Sequence, residues 1–351
     1  MEPRTFPTGE FFDPEILFKE YQNEKKVQQR LNIHPATTSA NWSFVGPDVI
    51  PSGGGGAGRI NVVRIDPSNP NTIYAGSANG GLWISKDGGL TWTTSTDFLP
   101  SLGIADIAID PRYTDTIYIA TGDRDGYATG TPGHYTAGVL VSGDGGQTWN
   151  QTGLTYSQQQ TTMMFRLIIN PDDPNILLAA TSGAIFRTAN AGVSWTNVRS
   201  GRMNDLEFKT DDANTVFAAS SSILAVSTDA GATWTNRYTS LGGTNLSLIA
   251  VTAANSSAIY FFSAAGALKK STDAGFTWST MTSPNSIINM GQGWYDLGLA
   301  VSPVDANIVF CAAGPNVSGG QGFAKSINGG TSWTQVGTSN HVDHHDLQFK
   351  P

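Results

Sequence analysis

Short apolar runs alternate with turn-forming residues along most of this chain. Examples are Ile117-Tyr-Ile-Ala-Thr121 and Ile308-Val-Phe-Cys-Ala312, each bounded by Pro, Asn, Asp or Gly. Runs of this length that contain β-branched and aromatic side chains favour β-strands, and the residues between them favour tight turns. The pattern therefore predicts an all-β chain built from many short strands.

One octapeptide recurs six times within this pattern. Its first copy is Ser85-Lys-Asp-Gly-Gly-Leu-Thr-Trp92, and the others occupy residues 142–149, 188–195, 227–234, 271–278 and 326–333, about 40 to 57 residues apart. The third position is Asp or Asn, whose side chain can accept hydrogen bonds from the turn, and the fifth is a glycine that tolerates positive φ. The third-position residues are Asp87, Asp144, Asn190, Asp229, Asp273 and Asn328. The final Trp is expected to pack between neighbouring sheets.

A second repeated element precedes each octapeptide. Residues 66–74, with the sequence Asp-Pro-Ser-Asn-Pro-Asn-Thr-Ile-Tyr, contain the Pro and Asn that end one strand and turn the chain into the next. Each unit thus reads strand, Pro/Asn turn, strand, loop, strand, octapeptide, strand. Repeats of this size with several short strands predict the blades of a β-propeller.

Both ends of the chain extend the repeat. Residues 41–46, which include Trp42, are similar to the strand after an octapeptide, and residues 341–351 are similar to another first strand. We therefore predict about seven blades, the last incomplete, with Trp42 in the same sheet as residues 341–349. The propeller domain then spans residues 41–351, and we expect the natural polypeptide to continue beyond Pro351. Residues 1–40 form an N-terminal extension with a predicted helix from Ile16 to Leu31.

Composition narrows the class of partner. The 351 residues carry a formal net charge of −8, and Lys and Arg are scattered. This distribution argues against a nucleic-acid partner, because such a partner needs a basic face. No apolar stretch in the sequence is long enough to span a membrane. The single cysteine, Cys311, lies in an apolar run and is expected to be a buried thiol. No cofactor is certain from these residues.

The octapeptide resembles the Asp-box repeat, also called the BNR repeat, of sialidase-type propellers. Further segments resemble a group of exported Bacteroidetes Asp-box propellers, often described as glycosyl-hydrolase-like, that commonly carry a C-terminal secretion-sorting domain. These segments are residues 1–10, 42–47, 58–61, 121–123, 291–296 and 341–345. The resemblance implies a secreted or cell-surface protein that uses type IX secretion. The implied partners are a glycan or a protein at the cell surface, and the export machinery.

Two enzyme families with this repeat supply catalytic motifs for comparison. Xyloglucan hydrolases carry a catalytic Asp in a Thr-Asp-Val-Gly-Gly motif between the second and third strands of their first blade. The matching segment here is Ser77-Ala78-Asn79-Gly80-Gly81, with Ala78 at the position of that Asp. Sialidases use an arginine triad, of which Arg59 is a faint counterpart. We expect a glycan-binding propeller and leave glycoside-hydrolase activity open. The alternative is a non-catalytic protein-binding scaffold or adhesin.

Because the octapeptides share one face, the loops of the opposite face are the expected ligand site. Gly122-Asp-Arg-Asp-Gly126 places Asp123 there, where two carboxylates could bind Ca²⁺ or another divalent cation, or belong to an ordinary polar loop. Trp294 and Tyr295 could stack on a sugar ring beside Asp296, or pack between blades. The candidate ligand-binding residues are therefore Asp123, Trp294, Tyr295 and Asp296.

A histidine-rich strand contributes to the same face. His341, Asp343 and His345 alternate, so one side of a strand would bring them together on a metal ion. The alternative is a hydrogen-bonded set without metal. Asp123, Asp296 and Asp343 are the candidate catalytic carboxylates, since each could act as acid or base on a glycosidic bond.

The first strands also predict what lines the central channel. Their alignment places seven residues at one level, namely Val62, Asp106, Arg166, Asp205, Leu248, Gly298 and Asp346. Arg166 falls between blades that carry Asp106 and Asp205. This order predicts a ring of salt bridges, and a charged binding pore is the alternative.

Overall fold

A computed structural model describes residues 58–99, 101–125, 135–157, 160–315, 322–337 and 344–350, together with Lys19, Glu20, Gln22, Asn23 and Lys26. In these ranges the backbone forms six four-stranded antiparallel sheets, in each of which the strands lie side by side in chain order. The sheets are the blades of a six-bladed β-propeller. The predicted all-β class is confirmed.

The strands of the first three blades follow one another without interruption. Blade 1 contains β1 (Ile60–Ile65), β2 (Ile73–Ser77), β3 (Leu82–Ser85) and β4 (Thr93–Thr94). Blade 2 contains β5 (Ile104–Ile109), β6 (Ile117–Thr121), β7 (Gly138–Ser142) and β8 (Asn150–Thr155). Blade 3 contains β9 (Met164–Ile169), β10 (Leu177–Thr181), β11 (Ala184–Thr188) and β12 (Thr196–Ser200).

The last three blades repeat this order with one addition. Blade 4 contains β13 (Asp205–Lys209), β14 (Asp212–Ala219), β15 (Leu224–Ser227) and β16 (Thr235–Tyr238). Blade 5 contains β17 (Ser247–Val251), β18 (Ile259–Ser263), β19 (Leu268–Ser271) and β20 (Ser279–Thr280). Blade 6 contains β22 (Gly298–Val301), β23 (Val309–Ala312), β25 (Phe323–Ser326) and β26 (Thr334–Gln335). Before blade 6, β21 (Ile288–Asn289) pairs with β24 (Gly314–Pro315), and a 3₁₀ helix covers Met290–Gln292.

The first strands of the blades contact one another in chain order around the centre of the propeller. Each octapeptide turn lies against the Pro/Asn turn of its own blade, as when Gly88 N donates to the Asn71 carbonyl (2.8 Å). Both turns therefore lie on one face, which we call the octapeptide face. The opposite face carries the loops between second and third strands and the segments that lead into each first strand. We call this face the mouth.

Hydrogen bonds within the octapeptide turns explain their residue pattern. In the blade 4 copy, Asp229 Oδ1 accepts from Thr233 N (2.8 Å) and from Ser227 Oγ (2.7 Å). Gly231 has φ of 84° and donates its N–H to Ser227 Oγ (2.8 Å). Two copies have Asn at the third position, and Asn190 Oδ1 accepts the equivalent backbone bond from Ser194 N (2.9 Å). The turn thus needs an acceptor oxygen there, and either residue supplies it.

This equivalence predicts how the blade 4 turn responds to substitution. Asp229→Asn should leave the free energy of unfolding nearly unchanged at pH 6, whereas Asp229→Ala should lower it by about 1 kcal/mol, as for other lost side-chain caps. Burial alone would raise the pKa of Asp229, but hydrogen bonds from Thr233 and Ser227 outweigh it and hold the pKa at about 2. Urea unfolding of the three proteins at pH 6 measures the difference.

The same turn should also respond to acid. The folded pKa of Asp229 lies below the unfolded value of about 3.9, so its stabilisation is present above about pH 4 and is lost as the pH falls toward 2. Asp229→Asn should therefore lose less stability than the wild type between pH 5 and pH 2.5. Equal urea stability of the Asn and Ala variants at pH 6 would contradict this account of the turn.

Five apolar clusters fill the spaces between consecutive blades. Each later octapeptide Trp packs toward the preceding blade: Trp149 is 2% exposed between blades 1 and 2, and Trp234 packs partly buried between blades 3 and 4. Trp92 of blade 1 is 38% exposed, and among the described residues no four-stranded blade precedes blade 1. The predicted packing of the Trp therefore holds wherever a preceding blade is present.

The six complete blades are as predicted, and the incomplete seventh blade is not shown by the described residues. Residues 344–350 lie extended between blade 6 and blade 1, where Asp346 Oδ2 accepts a hydrogen bond from Val63 N (2.9 Å). On the other side, Leu347 lies against Gly298 of β22. This segment pairs with no described strand, and we call it the extended stretch. Trp42, expected in the same sheet, lies outside the described residues.

The predicted N-terminal helix is not confirmed. Lys19, Glu20, Gln22, Asn23 and Lys26 have helical backbone, while the rest of residues 1–40 lies outside the described part of the chain. Gln22 Nε2 donates to the Trp149 carbonyl (2.9 Å), so this segment contacts blade 2. Across the residues that the structure describes, no helix has the length and apolar character needed to cross a bilayer.

Candidate functional site

Polar and aromatic side chains from three blades meet at the mouth. Asp123 follows β6, Arg59 precedes β1, and Tyr295 lies in the segment that leads into β22. His345 belongs to the extended stretch between blades 6 and 1. The cyclic arrangement brings these remote residues together, because every first strand begins at this face. We call them, with Arg124 and Asp125, the mouth cluster.

Asp123 is held on several sides within the mouth cluster. Its carboxylate forms an ion pair with Arg59 and accepts a hydrogen bond from Asn61 Nδ2 (3.2 Å). It also accepts from Asp125 N (3.2 Å), so the loop folds back on its own carboxylate. Burial alone would lower the pKa of Arg59, but Asp123 and Asp125 outweigh it and raise that pKa. Asp123 is 5% exposed, and its carboxylate is bonded to these other residues of the chain.

The second carboxylate of this loop orients a histidine. Asp125 Oδ2 lies 3.0 Å from His345 Nδ1, and Asp125 Oδ1 lies 3.3 Å from Arg124 Nε. Burial alone would raise the pKa of Asp125, but the Arg124 guanidinium and the bond from His345 outweigh it and hold the pKa below its usual value. Arg124 Nη2 also donates to the His345 carbonyl (2.9 Å). Two residues of blade 2 therefore hold the extended stretch: Asp125 contacts the His345 side chain, and Arg124 binds the His345 backbone carbonyl.

Tyr295 carries the aromatic part of the mouth cluster. The Arg59 guanidinium lies 5.0 Å from the centre of its ring, and the His345 ring meets it edge-on at 4.7 Å between centroids. Trp294 lies 5.6 Å away, tilted by 52°. Both rings are partly buried, and Arg59 and His345 hold the Tyr295 ring in place. Such a pair can present an apolar surface beside hydrogen-bonding groups.

The remaining predicted site residues lie elsewhere. Asp296 is fully buried beneath the mouth, where its backbone N–H donates to the Gln292 carbonyl (3.0 Å). His341 and Asp343 lie outside the described residues, so their metal and catalytic roles stay predictions. Among the residues with described positions, no group of three His, Cys, Asp or Glu side chains could hold a metal ion.

The channel contains the ion pairs expected from the first strands. Arg64 bridges Asp346 and Asp106, with Arg64 Nη1 2.7 Å from Asp346 Oδ2. Arg166 continues the row: its Nη1 lies 3.6 Å from Asp106 Oδ2, and its Nε lies 3.1 Å from Asp205 Oδ1. Glu207 is a further partner of Arg166. These residues form a belt of ion pairs from the extended stretch to blade 4.

The carboxylates of the belt also accept hydrogen bonds from backbone N–H groups of neighbouring blades. Asp106 Oδ2 accepts from Leu167 N of blade 3 (2.8 Å), and Asp205 Oδ2 accepts from Ile249 N of blade 5 (2.9 Å). Each of these carboxylates also accepts from the next N–H along its own strand. The predicted salt-bridged ring is thus observed for part of the circle. Leu248 and Gly298 leave its other side uncharged.

Reasoning from sequence did not single out Arg124 or Glu207, and it considered Asp125 only as the second carboxylate of a possible cation site. Arg124 and Asp125 both lie in the segment Gly122-Asp-Arg-Asp-Gly126, beside Asp123. Glu207 lies two residues after Asp205 on β13, so strand alternation places it on the same side. That alternation was the available signal for Glu207.

Comparison with known proteins finds similarity to β-propellers, xyloglucanases among them. No family model matches the chain. A xyloglucanase of Hypocrea jecorina (strain QM6a) is 26% identical over 322 residues, which are 86% of this chain and 38% of that relative. A xyloglucanase of Paenibacillus sp is 27% identical over 158 residues, 42% of this chain and 15% of the relative.

Solved structures agree on the architecture. The GH74 xyloglucanase from Xanthomonas campestris superposes with a TM-score of 0.59 at 19% identity, over 80% of this chain and 45% of that one. YCF48 from Cyanidioschyzon merolae gives 0.56 at 18% identity, over 81% and 87%. The chain is a β-propeller related to xyloglucanases. It spans well under half the length of the Hypocrea jecorina relative.

Proposed function

We propose that this chain binds a glycan at the mouth, with Trp294 and Tyr295 as the stacking surface. Arg59 lies against the Tyr295 ring and would donate hydrogen bonds to sugar hydroxyl groups at the edge of the site, while Asp123 holds the Arg59 guanidinium in place. The xyloglucanase relatives support a glycan as the ligand. The resemblance to exported Asp-box propellers supports a secreted or cell-surface location, with export machinery as a transient partner.

The observation that carries this proposal is the fixed position of Tyr295. Its ring is held by the Arg59 guanidinium on one side and by the edge of His345 on another. A ring that is ordered before binding loses little conformational freedom when a ligand arrives, so more of the contact energy becomes affinity. Aromatic rings beside polar groups suit sugars, which have apolar faces and polar edges.

The carboxylates of the mouth cluster favour binding over cleavage. Glycoside hydrolysis ordinarily uses one protonated and one ionised carboxyl group on either side of the bond. Asp123 is engaged by Arg59, and Asp125 by Arg124 and His345. Both carboxylates therefore stabilise the mouth itself. Ala78, at the position aligned with the catalytic Asp of xyloglucan hydrolases, agrees with a binding role.

A glycan array that includes xyloglucan oligosaccharides tests the proposal, followed by calorimetry on the best ligand. Trp294→Ala should weaken binding about tenfold or more, because a stacking contact is lost. Tyr113→Ala is the matched control, since Tyr113 is an aromatic residue of the octapeptide face and is 70% exposed. It should bind like the wild type. Unchanged affinity in Trp294→Ala would remove the mouth as the glycan site.

A non-catalytic protein-binding scaffold or adhesin is the second candidate. It is favoured by exposed apolar side chains on the octapeptide face, among them Leu90, Val193 and Phe276. Exposed apolar groups of this kind mark surfaces that bind other proteins when they are contiguous. A wild-type protein that binds none of the arrayed glycans would favour this candidate.

A further inference from the structure

Two faces of blades border a space that no described blade fills. Between consecutive blades from 1 to 6, each space holds an apolar cluster. Between blade 6 and blade 1, the described residues supply only the extended stretch. We call this space the wedge. Its walls are the face of blade 6 turned away from blade 5 and the face of blade 1 turned away from blade 2.

The blade 6 wall is built around Phe310, which occupies a position of the repeat that is buried in the five other blades. The equivalent residues face the following blade and are at most 2% exposed, namely Tyr74, Tyr118, Leu178, Phe217 and Tyr260. Phe310 is only half-buried. Its ring stacks on Phe323 (5.5 Å between centroids) and meets Phe349 edge-on (5.6 Å). Blade 6 therefore presents a surface of the kind that packs between blades, and this surface is incompletely covered.

The blade 1 wall is built around Trp83, which pairs with Ala75 in the middle of the sheet. In blades 2, 4 and 6 the equivalent residues pack against the preceding blade and are 0% exposed, namely Leu140, Ala225 and Ala324. Trp83 is 38% exposed, and its Nε1 donates to the Gly80 carbonyl of its own loop (2.9 Å). Val63 of β1 pairs with Ala75 and so lies on the same face. Blade 1 thus presents the second uncovered surface.

The extended stretch covers only part of the wedge. A cavity of about 170 Å³ remains against the blade 6 wall, lined by Ala300, Phe310, Phe323, Leu347, Gln348 and Phe349. The extended stretch lies at the channel, because Asp346 belongs to the belt of ion pairs. The outer part of the wedge, beside the later strands of blades 6 and 1, is therefore the part left open. Apolar walls on both sides of an open space favour an apolar occupant.

We propose that the wedge is the docking site of residues 41–46 of the same chain, with Trp42 seated against Phe310. This segment, Asn-Trp-Ser-Phe-Val-Gly, is similar to residues 333–337, which contain the fourth strand of blade 6. There Trp333 packs against the apolar cluster that blade 6 shares with the preceding blade. A segment of the same pattern placed between blades 6 and 1 would turn its Trp toward blade 6, the blade that precedes it. The proposal is independent of the proposed glycan site.

Chain connectivity favours this segment over a separate molecule as the occupant. Eleven residues separate Gly46 from Gly58, which lies immediately before β1 of blade 1. At roughly 3.3 Å per extended residue, a connection of this length spans up to about 40 Å, so the segment can reach the wedge beside blade 1. A tethered segment also has a high effective concentration at its site, which a free partner lacks.

Thiol labelling of the full chain tests whether the wedge is covered. Cys311 is 0% exposed, so the folded wild type should not react with a maleimide. The thiol of Trp83→Cys should react at least about tenfold more slowly than that of Leu90→Cys, because a covered thiol reacts only when the segment opens. Leu90→Cys is the matched control, since Leu90 is 84% exposed on the octapeptide face of the same blade. Adding Trp42→Ala to Trp83→Cys should raise the labelling rate toward that of the control.

Urea unfolding tests the contact between Trp42 and Phe310 without a new thiol. Residues in contact give losses of stability that do not add. Trp42→Ala should therefore shift the urea midpoint at least about twice as far in the wild type as in Phe310→Ala. Tyr113→Ala is the matched background, because Tyr113 is 70% exposed and lies on the octapeptide face. There Trp42→Ala should cause the same shift as in the wild type.

Three outcomes would overturn the proposal. Labelling of Trp83→Cys as fast as that of Leu90→Cys would mean that the wedge is open. Protection of Trp83→Cys that increases with protein concentration would identify a second copy of the chain as the occupant. Additive losses for Trp42→Ala and Phe310→Ala would mean that the two side chains do not meet. The comparison of Trp83→Cys with Leu90→Cys keeps its meaning even if Trp42→Ala fails to fold.

Discussion

Trp149→Ala is expected to lower the free energy of unfolding by about 3–5 kcal/mol, as when other fully buried aromatic side chains are truncated. Trp149 is 2% exposed and joins Ile84 of blade 1 to Ile117 of blade 2. Its Nε1 also donates to Ser95 Oγ (3.2 Å), so a cavity and a lost hydrogen bond would both result. Urea unfolding followed by circular dichroism measures the change.

Trp92→Ala supplies the matched control, because it removes the same residue from the same position of the repeat. Trp92 is 38% exposed and donates to the Gly89 carbonyl within its own turn (3.1 Å). Its loss should cost about 1 kcal/mol or less. Similar losses in both variants would mean that the octapeptide Trp stabilises its own turn and that packing between blades adds little.

Asp106→Ala is expected to have an effect of similar size, about 3–5 kcal/mol, because it removes one partner of a buried ionic network. The Asp106 side chain is 2% exposed and accepts from Leu167 N (2.8 Å) and Ile107 N (2.9 Å). It also faces the guanidinium groups of Arg64 and Arg166. Its loss would leave two backbone N–H groups and two cations without this partner.

Asp106→Asn separates the backbone hydrogen bonds from the charge. The amide oxygen can replace one of the acceptor contacts, so this variant should lie between the wild type and Asp106→Ala in urea stability. Asp211→Ala removes an exposed carboxylate that pairs with Lys209, and it should cause no comparable loss. An Asp106→Ala protein as stable as the wild type would show that the belt contributes nothing to holding the blades together.

The blade architecture was predictable because its determinants are local. Asp229, Gly231 and Thr233 make their turn within one octapeptide, so each copy carries its whole hydrogen-bond pattern in the sequence. The six complete blades follow from the six octapeptides, whereas the incomplete seventh blade was not predictable in this way. Residues 344–350 have the pattern of a first strand, but a blade also needs neighbouring strands to complete its hydrogen bonds, and none is described for this stretch.

The sequence predicted which residues lie at the mouth. It did not predict which of those residues contact one another. Asp123 and Tyr295 could be placed there because each lies next to a strand end on that face. The bond between Asp125 and His345 joins residues 220 positions apart, and no periodicity in the sequence relates them. Asp296 was predicted to be accessible to a ligand because it is an acidic residue beside two aromatic residues. In the structure it is fully buried.

His345 lies between the mouth and the channel, so its ring can couple binding at the two places. One edge of its ring meets Tyr295 at the mouth, and the same ring lines the channel cavity. A ligand that shifts this ring from either side changes the environment offered to a ligand on the other side. Such coupling is reciprocal by necessity: if a ligand at the mouth alters the affinity of the channel for a second ligand, the second ligand alters the affinity of the mouth by the same factor.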